Sequence, residues 1–172
     1  MRYLLLSDTH GELNKTKEII QQHPNMDGYF HLGDIGFSLL YLGKFHIVKG
    51  NHDTNKRVPS ELIMKLGNRH VLCMQGNQFD DEIVKEVMEI WNSDSIDLSF
   101  ECEQRMYDKI TNYAKSKNCD TVFFGHSHQQ CFLSHEGVTL INPGSVGFGI
   151  NGSSYAIVTI NDKDIDVEMI SI

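Results

Sequence analysis

The chain opens on Tyr3-Leu4-Leu5-Leu6-Ser7-Asp8-Thr9-His10-Gly11, in which four mostly apolar residues run directly into a polar loop. A short continuous apolar run is typical of a strand buried on both faces, and the carboxyl end of this one delivers Asp8 and His10. Because an extended step points residues i and i+2 to the same side, both side chains are predicted to face one ion. A helix is predicted over Leu13–Gln22, where His23-Pro24-Asn25 ends it.

The same arrangement, an apolar run followed by a polar loop, recurs at four further places. The predicted strands are Gly28–Leu32, Phe45–Val48, His70–Met74 and Thr121–Phe124, and the loops after them contain Asp34, Asn51, His52, Gln75, His126 and His128. In α/β sheets the ligand crevice lies beyond the carboxyl ends of the strands. All five polar loops are therefore expected to meet there.

Helical spacing appears between the fourth and fifth of these strands. Apolar residues recur at that spacing at Ile83, Val84, Val87, Met88 and Trp91, and again at Met106, Ile110, Tyr113 and Ala114. The spacing predicts a helical pair over residues 80–118. One interpretation makes this pair a stabilising layer on the sheet, and the other makes it a lid or a partner surface beside the polar loops.

The last part of the chain is predicted to form short strands separated by turns, over Cys131–Ser134, Val138–Ile141, Tyr155–Ile160 and Ile165–Ile170. Alternating strands and helices followed by a run of strands predict an α/β fold of two packed mixed β-sheets flanked by helices. The expected architecture is a four-layer α/β/β/α sandwich, with the helical pair inserted before the strand that precedes His126. No repeat or linker divides the chain, so residues 1–172 are expected to form a single domain.

Composition excludes several classes of protein. Hydrophobic residues make up 40% and charged residues 22%, unlike a disordered, fibrous or membrane chain. The formal charge of −8 works against binding long nucleic acid through its phosphates. Four cysteines without a C-x-x-C pair indicate reduced thiols, and no apolar run reaches the roughly 20 residues of a membrane span. A cytoplasmic protein is expected.

The strand ends together offer carboxylate, amide and imidazole ligands without any thiolate. The predicted metal ligands are Asp8, His10, Asp34, Asn51, His126 and His128. Such a set suits divalent cations such as Mn²⁺, Fe²⁺, Co²⁺, Ni²⁺ or Zn²⁺. Six ligands are too many for one site with open positions, so the simpler interpretation is two ions that share Asp34 as a bridge.

The order of these short motifs resembles the calcineurin-like metallophosphoesterase superfamily. The motifs are D-x-H at 8–10, G-D at 33–34, G-N-H-D at 50–53, G-H-x-H at 125–128 and N-P-G-S at 142–145. The opening S-D-T-H-G and the short length resemble the small bacterial and archaeal phosphodiesterases, which are similar to the small retromer scaffold subunit. The resemblance implies that Asp8, His10, Asp34 and His128 hold one ion, that Asp34, Asn51 and His126 hold the other, and that His52 touches the phosphate.

Two positions depart from the family pattern. The pattern G-D-x-x-D lacks its second acid here, because Asp34 is followed by Ile35-Gly36-Phe37, an absence common in small members. Gln75 stands where the resemblance implies a metal-binding histidine. His70 cannot replace it, since five extended residues at about 3.3 Å each place it near the far end of the strand. A glutamine offers only a neutral amide oxygen, so the second ion is expected to be held less tightly.

Other ionisable residues have simpler interpretations. Asp53 is expected either to orient an imidazole or to cap its own loop. Asp80, Asp81 and Glu82 suit the first turn of a helix, where they oppose its dipole. The histidines outside the motifs are expected to have structural roles, and they are His23, His31, His46, His70 and His135.

The combined features predict a metal-dependent phosphoesterase, a phosphodiesterase rather than a monoesterase, with two divalent ions as cofactors and Mn²⁺ favoured. The expected nucleophile is a water between the ions that ionises near neutral pH, and His52 is expected to stabilise charge or protonate the leaving group. The expected partner is a small phosphate ester, not long nucleic acid or a membrane, and the oligomeric state is left open. The alternative is a catalytically weakened binding or scaffold module, against which the retention of His52 argues.

Overall fold

The computed structural model describes residues 1–83, 98–162 and 164–172. Its strands are β1 (Arg2–Leu6), β2 (Gly28–His31), β3 (His46–Ile47), β4 (Glu61–Leu66), β5 (Arg69–Met74), β6 (Thr121–Phe123), β7 (Gln130–His135), β8 (Val138–Pro143), β9 (Ser154–Ile160) and β10 (Ile165–Ser171). Helix α1 spans Leu13–Gln22, the predicted range, and α2 spans Leu98–Ser116. Short 3₁₀ helices span Leu39–Leu42 and Asn77–Phe79, and a helical segment that begins at Asp80 is described as far as Ile83.

The strands form two five-stranded mixed sheets. The first has the order β10-β9-β1-β2-β3, in which β1, β2 and β3 are parallel while β9 pairs antiparallel with both β1 and β10. The second has the order β4-β5-β6-β8-β7, with β5, β6 and β8 parallel and an antiparallel strand at each edge. The parallel centres place several polar loops at one end of each sheet.

Alternation along the strands builds the four layers. In β1, Leu5 packs between the two sheets, whereas Leu4 and Leu6 pack on the opposite face with Ile19 of α1. In β5, Cys73 faces the first sheet while Leu72 and Met74 pack against α2. Because successive side chains point to opposite faces, a fully apolar strand is buried on both. This confirms the predicted α/β/β/α sandwich of two mixed sheets flanked by helices.

One strand was not predicted, and β3 covers only His46–Ile47 of the predicted Phe45–Val48. Strand β4 was not predicted, and it forms an antiparallel hairpin with β5 through Gly67, whose φ of +60° suits a tight turn. Its Glu61 and Lys65 are residue types depleted in strands, so its pairing depends on tertiary contact. Helix α2 confirms the second helix of the predicted pair. The predicted positions Val84 to Trp91 of the first helix lie outside the described residues.

Within the described part of the chain, no helix is both long enough and apolar enough to span a membrane.

Candidate metal centre

Backbone hydrogen bonds join the strand-end loops. The Asp8 N–H donates to the Gly33 carbonyl at 3.0 Å, and the His10 N–H donates to the Asp34 carbonyl at 2.9 Å. From the second sheet, the Gly125 N–H donates to the Gln75 carbonyl at 3.0 Å. These bonds continue the strand pairing past the ends of the strands, so the predicted crevice is built from loops that are fixed to one another.

Two glycines let the loops approach closely. A Cβ at Gly50 would lie 2.1 Å from Asp34 Oδ1, and a Cβ at Gly125 would lie 2.7 Å from Asp8 Oδ2. Any side chain at either position would displace a carboxylate. The glycines of G-N-H-D and G-H-x-H are therefore required by close packing around Asp34 and Asp8.

Asp8, His10 and His128 converge at the centre of the crevice. Each offers a ligand atom, and these atoms all lie within 4.8 Å of one another. His10 Nε2 lies 3.2 Å from His128 Nε2, and His128 Nε2 lies 3.4 Å from Asp8 Oδ1. Two ligands of one divalent ion, with bonds of about 2.1 Å at octahedral or tetrahedral angles, are roughly 3.0–3.4 Å apart. The spacing and the mixed oxygen and nitrogen donors fit one divalent ion.

Asp34, the predicted bridge, lies beside this cluster. Its carboxylate is only 2% exposed, and Oδ2 lies 3.9 Å from both His10 Nε2 and His52 Nε2. Its other oxygen, Oδ1, accepts the backbone N–H of His52 at 2.9 Å. Asp34 thus connects the Asp8 cluster to the loop that bears Asn51 and His52.

Left-handed backbone conformations orient the predicted ligands. Asp8, His10, Asp34, His126 and His128 have φ angles of 50°, 43°, 55°, 68° and 56°, a region that residues other than glycine seldom adopt. The predicted extended step between Asp8 and His10 is therefore wrong, because both residues have a left-handed backbone. Tertiary hydrogen bonds hold the strained loop so that both side chains face the cluster, a pattern found at functional sites.

Hydrogen bonding keeps the buried Asp8 carboxylate ionised. Burial by itself raises the pKa of Asp8, but hydrogen bonds from His128, Ser7 and the His126 N–H outweigh it and hold the pKa below its usual value. The hydrogen bond with Asp8 correspondingly raises the pKa of His128, whereas burial lowers the pKa of His10. The cluster thus combines a carboxylate with a neutral imidazole, both forms that bind cations.

Asp53 acts as a loop cap, one of the two alternatives for this residue. Its carboxylate accepts the backbone N–H groups of Asp34, Ile35 and Gly50 at 2.8, 2.9 and 2.9 Å. Three backbone donors that would otherwise lack partners are satisfied by one side chain. Asp53 therefore fixes the loop after β2 to its own loop after β3.

Gln75 uses its amide within the protein. The side chain is 1% exposed, its Oε1 accepts the Asn51 N–H at 2.8 Å, and its Nε2 lies 3.4 Å from Asp8 Oδ1. Asn51 itself is exposed and lines a cavity of about 380 Å³ with Ser60 and Glu61. Gln75 thus holds the Asn51 loop against Asp8 at the position where the resemblance implies an imidazole ligand.

His126 reaches the centre through its backbone. Its N–H donates to Asp8 Oδ2 at 3.0 Å, while its imidazole Nε2 lies 2.7 Å from Asp80 Oδ2. From the sequence Asp80 is predicted only in the first turn of a helix, and the contact is not predicted because the two residues are 46 positions apart. No local signal pairs them.

The sequence of this chain matches a known protein family, and that match agrees with the geometry of the site. Residues 1–163 match the family model described as the calcineurin-like phosphoesterase superfamily domain. The chain belongs to this superfamily. The resemblance noted from the motifs is therefore confirmed over most of the chain.

Proteins similar in sequence to this superfamily protein are named as metallophosphoesterases or phosphodiesterases. It is 29% identical over 148 residues to a protein of Mycoplasma pneumoniae named "Probable metallophosphoesterase", covering 84% of this chain and 79% of that one. It is 25% identical over 154 residues to a phosphodiesterase of Methanocaldococcus jannaschii, covering 84% and 83%. These names indicate a metallophosphoesterase.

Solved structures share the fold. A predicted phosphoesterase of Streptococcus pneumoniae aligns with a TM-score of 0.77 at 22% identity, over 99% of this chain and 88% of that one. Vps29 of Entamoeba histolytica complexed with Zn²⁺ aligns with a TM-score of 0.66 at 16% identity, over 99% and 98%. These likenesses confirm the arrangement of the two sheets and their helices.

The N-P-G-S motif of the superfamily protein supports the ligand loops. Asn142 Nδ2 donates to the Gly125 carbonyl at 2.8 Å and to Ser127 Oγ at 3.1 Å. Ser145 Oγ donates to the Asp8 carbonyl at 2.8 Å. The motif thus holds the loops of Asp8 and His126 without offering a ligand itself.

An aromatic side chain that was not predicted from the sequence covers one side of the cluster. The Phe148 ring stacks on His10 with centroids 4.7 Å apart, and its centroid is also 4.7 Å from that of His128. The Phe148 N–H donates to Ser145 Oγ at 3.0 Å. Phe148 is 60% exposed, so it restricts both imidazoles while presenting an apolar surface to solvent.

The histidines outside the motifs contact other parts of the fold or solvent. His31 is fully buried and lies 3.0 Å from Thr9 Oγ1, while His23 and His135 contact Tyr155 and Asp108. Two more, His46 and His70, are exposed in strands. Burial lowers the pKa of His31 to about 4, so its neutral form is part of the fold.

Proposed function

We propose that this chain is a phosphodiesterase that uses two divalent metal ions to hydrolyse a P–O bond in a small phosphate ester. The observation that carries the proposal is the convergence of Asp8, His10 and His128 beside the buried Asp34 carboxylate. Membership of the superfamily and a phosphodiesterase among the relatives support it.

The ligands are divided between the two ions. In this proposal Asp8, His10, Asp34 and His128 hold the first ion, and Asp34, Asn51 and His126 hold the second. When bound, the two ions lower the pKa of a water and polarise the phosphoryl oxygens. The protein contributes the fixed orientation of the ligand side chains, because strained loops and the Asp53 cap hold their backbone in place.

His52 is the residue proposed to act on the substrate. Its side chain is 67% exposed, and Nε2 lies 3.9 Å from Asp34 Oδ2, so the imidazole stands at the rim of the crevice. Its backbone N–H is fixed on Asp34 Oδ1. From there the ring can donate a hydrogen bond to a phosphoryl oxygen in the transition state, or a proton to the leaving oxygen.

A cavity beside His52 suits the organic part of the substrate. It has a volume of about 680 Å³ and lies between residues 35–43 and 52–58, where Phe37, Leu39 and Val58 line it. A mostly apolar lining with a few polar groups is typical of small-molecule sites. A small phosphate ester fits this cavity better than a long nucleic acid, whose phosphates the charge of −8 would repel.

The donor set accommodates Mn²⁺, Ni²⁺, Co²⁺, Fe²⁺ or Zn²⁺, because imidazole and carboxylate ligands suit all of them. All four cysteines are free thiols, which supports a reducing compartment such as the cytoplasm.

A binding or scaffold module is the second candidate function. The use of the Gln75 amide inside the protein and the structural likeness to Vps29 are compatible with it. Such a module would keep the fold and one ion without turnover. The exposed His52 at the rim favours the enzyme, since a scaffold has no chemical need for it.

The test is hydrolysis of bis(p-nitrophenyl) phosphate by protein stripped with chelator and then supplied with single metals. The proposal expects no turnover after verified metal removal and restored turnover with Mn²⁺, Ni²⁺ or Co²⁺. Full activity without metal would overturn the mechanism. Tight metal binding without turnover of any phosphodiester or phosphomonoester would favour the scaffold.

A further inference from the structure

The Asp80 carboxylate holds one imidazole of the proposed second site. Asp80 Oδ2 lies 2.7 Å from His126 Nε2, a distance typical of a charge-assisted hydrogen bond. The imidazole is 24% exposed and the carboxylate 48% exposed, so the pair lies at the edge of the crevice rather than free in solvent.

We propose that Asp80 is a positioning residue for the second ion, whose carboxylate accepts the Nε2–H of His126 and leaves Nδ1 as the atom that binds the ion. This inference rests on the proposed function, because it takes His126 as a ligand.

The tautomer follows from the hydrogen bond. A carboxylate at 2.7 Å from Nε2 requires a proton on that nitrogen, and a neutral imidazole then carries its lone pair on Nδ1. A metal ion binds only the nitrogen with the lone pair. His10 and His128 instead turn Nε2 toward the cluster, where these two atoms lie 3.2 Å apart. The two proposed ions are therefore held by opposite nitrogens of their histidines.

The fold brings Asp80 to His126 through one short turn. Gly76, with φ of +106°, turns the chain out of β5 into the 3₁₀ helix Asn77–Phe79, and Asp80 follows directly. The same turn is bound to the His126 loop, because the Gln75 carbonyl accepts the Gly125 N–H at 3.0 Å. The contact is thus anchored at its base by a backbone hydrogen bond.

The arrangement offsets the departure at Gln75. A ligating histidine that donates its other N–H to a carboxylate is better oriented and more basic, and loss of such a partner commonly costs 10–100-fold in metal affinity. With the Gln75 amide bound to Asn51, a strengthened His126 is the means by which this chain retains its second ion.

Asp81 provides a matched control. It is the next residue along the same helical segment, carries the same charge and is exposed, whereas Glu82 pairs with Lys109 at 3.0 Å. Replacing Asp81 removes one negative charge near the site without touching the contact to His126.

The experiment measures Zn²⁺ affinity in the full-length protein, by titration of wild type and of the Asp80→Ala, Asp80→Asn and Asp81→Asn variants. Asp80→Ala is expected to weaken the second ion by about 10-fold, since the carboxylate is half exposed, with the first ion unchanged. Asp80→Asn keeps an oxygen acceptor and is expected to weaken it less. Asp81→Asn is expected to match wild type.

Nitrogen-15 NMR of the histidine rings gives the decisive second readout. In the Zn²⁺-loaded wild type, His126 is expected to show a protonated Nε2 and a metal-bound Nδ1. A metal-bound Nε2, or equal second-ion affinities in Asp80→Ala and Asp81→Asn, would overturn the inference. The spectrum is recorded on wild type and so does not depend on the folding of any variant.

Failure of the inference is distinguishable from failure of the proposed function. If wild type binds two ions and hydrolyses phosphodiesters while the Asp80 variants match Asp81→Asn, only the role of Asp80 is wrong. If wild type never binds a second ion, both the dinuclear site and the role of Asp80 are overturned.

Discussion

The two halves of the candidate metal centre differ in where their donor atoms point. On the first half, Asp8, His10 and His128 turn their donors toward one another, within 4.8 Å. On the second half, the His126 imidazole contacts Asp80 and the Gln75 amide contacts the Asn51 backbone. The first half thus has the form of a preformed ion site, while in the second half the Gln75 amide is already bound within the protein.

This difference indicates unequal affinity for the two proposed ions. A site whose ligands already converge needs little rearrangement on binding, whereas the second half has a bound amide in place of an imidazole at position 75 and an exposed Asn51. We therefore expect one tightly held ion and one weakly held ion, with Asp34 between them.

Asp34→Ala is expected to have the largest effect, because this carboxylate is proposed to serve both halves. Loss of both ions should lower kcat/KM by roughly 10³-fold or more, since metal ions contribute several kcal/mol of charge stabilisation. The measurements are metal content after dialysis and hydrolysis of the phosphodiester, with the exposed Glu18→Ala as control. Retention of one full ion would show that Asp34 is not shared.

Acidification should destabilise the first half through His31. The His31 imidazole lies 3.0 Å from the hydroxyl of Thr9, the residue between Asp8 and His10 in the sequence. The Thr9 hydroxyl donates to the Ile35 carbonyl, so it accepts the His31 Nε2–H, and within the described residues His31 Nδ1 has no partner. Burial lowers the pKa of His31 from 6.5 to about 4. Between these values the unfolded chain binds more protons than the folded one, so stability falls as pH falls, by about 3 kcal/mol at pH 4.

The measurement is the free energy of unfolding by denaturant between pH 7 and pH 4, in metal-free wild type and in His31→Gln. Wild type should lose about 3 kcal/mol more than the variant across this window. His46→Gln, at an exposed position in β3, serves as the control. Parallel curves for wild type and His31→Gln would contradict the assignment.

His52→Ala is expected to separate substrate chemistry from metal binding. Removing a group that acts only on the transition state should lower kcat by roughly 10²-fold while metal content stays near wild type. Steady-state kinetics and metal analysis on the same preparation check this. If His52→Ala loses metal as completely as Asp34→Ala, His52 belongs to the metal ligands instead.

Gln75→His should have the smallest effect, which falls mainly on the weaker half. An imidazole nitrogen in place of the amide should tighten the second ion by about 10-fold and lower the metal concentration needed for half-maximal rate. Loss of the acceptor for the Asn51 N–H should cost about 1 kcal/mol of stability. Titration calorimetry, with Gln78→His as control, measures both ions; two equally tight ions in wild type would contradict the expected difference.

Much of the fold could be predicted from local pattern. The apolar run at residues 3–6 was sufficient to predict β1, and Pro24 was sufficient to predict the end of α1. Both signals are carried by residues next to one another in the sequence. Strand β4 could not be predicted in this way, since Leu62 and Met64 pack on the core only once β4 pairs with β5. Edge pairing is a property of the assembled sheet.

The sequence by itself determined which residue types stand at the strand ends, and therefore the family and the kind of site. Only the tertiary structure decided their orientation. The left-handed backbone of Asp8 and His10 depends on hydrogen bonds to the Gly33 and Asp34 carbonyls, and the direction of the His126 imidazole depends on Asp80, 46 residues away. A side chain's direction is set by whichever partner the fold places beside it, and that partner is not encoded in neighbouring sequence.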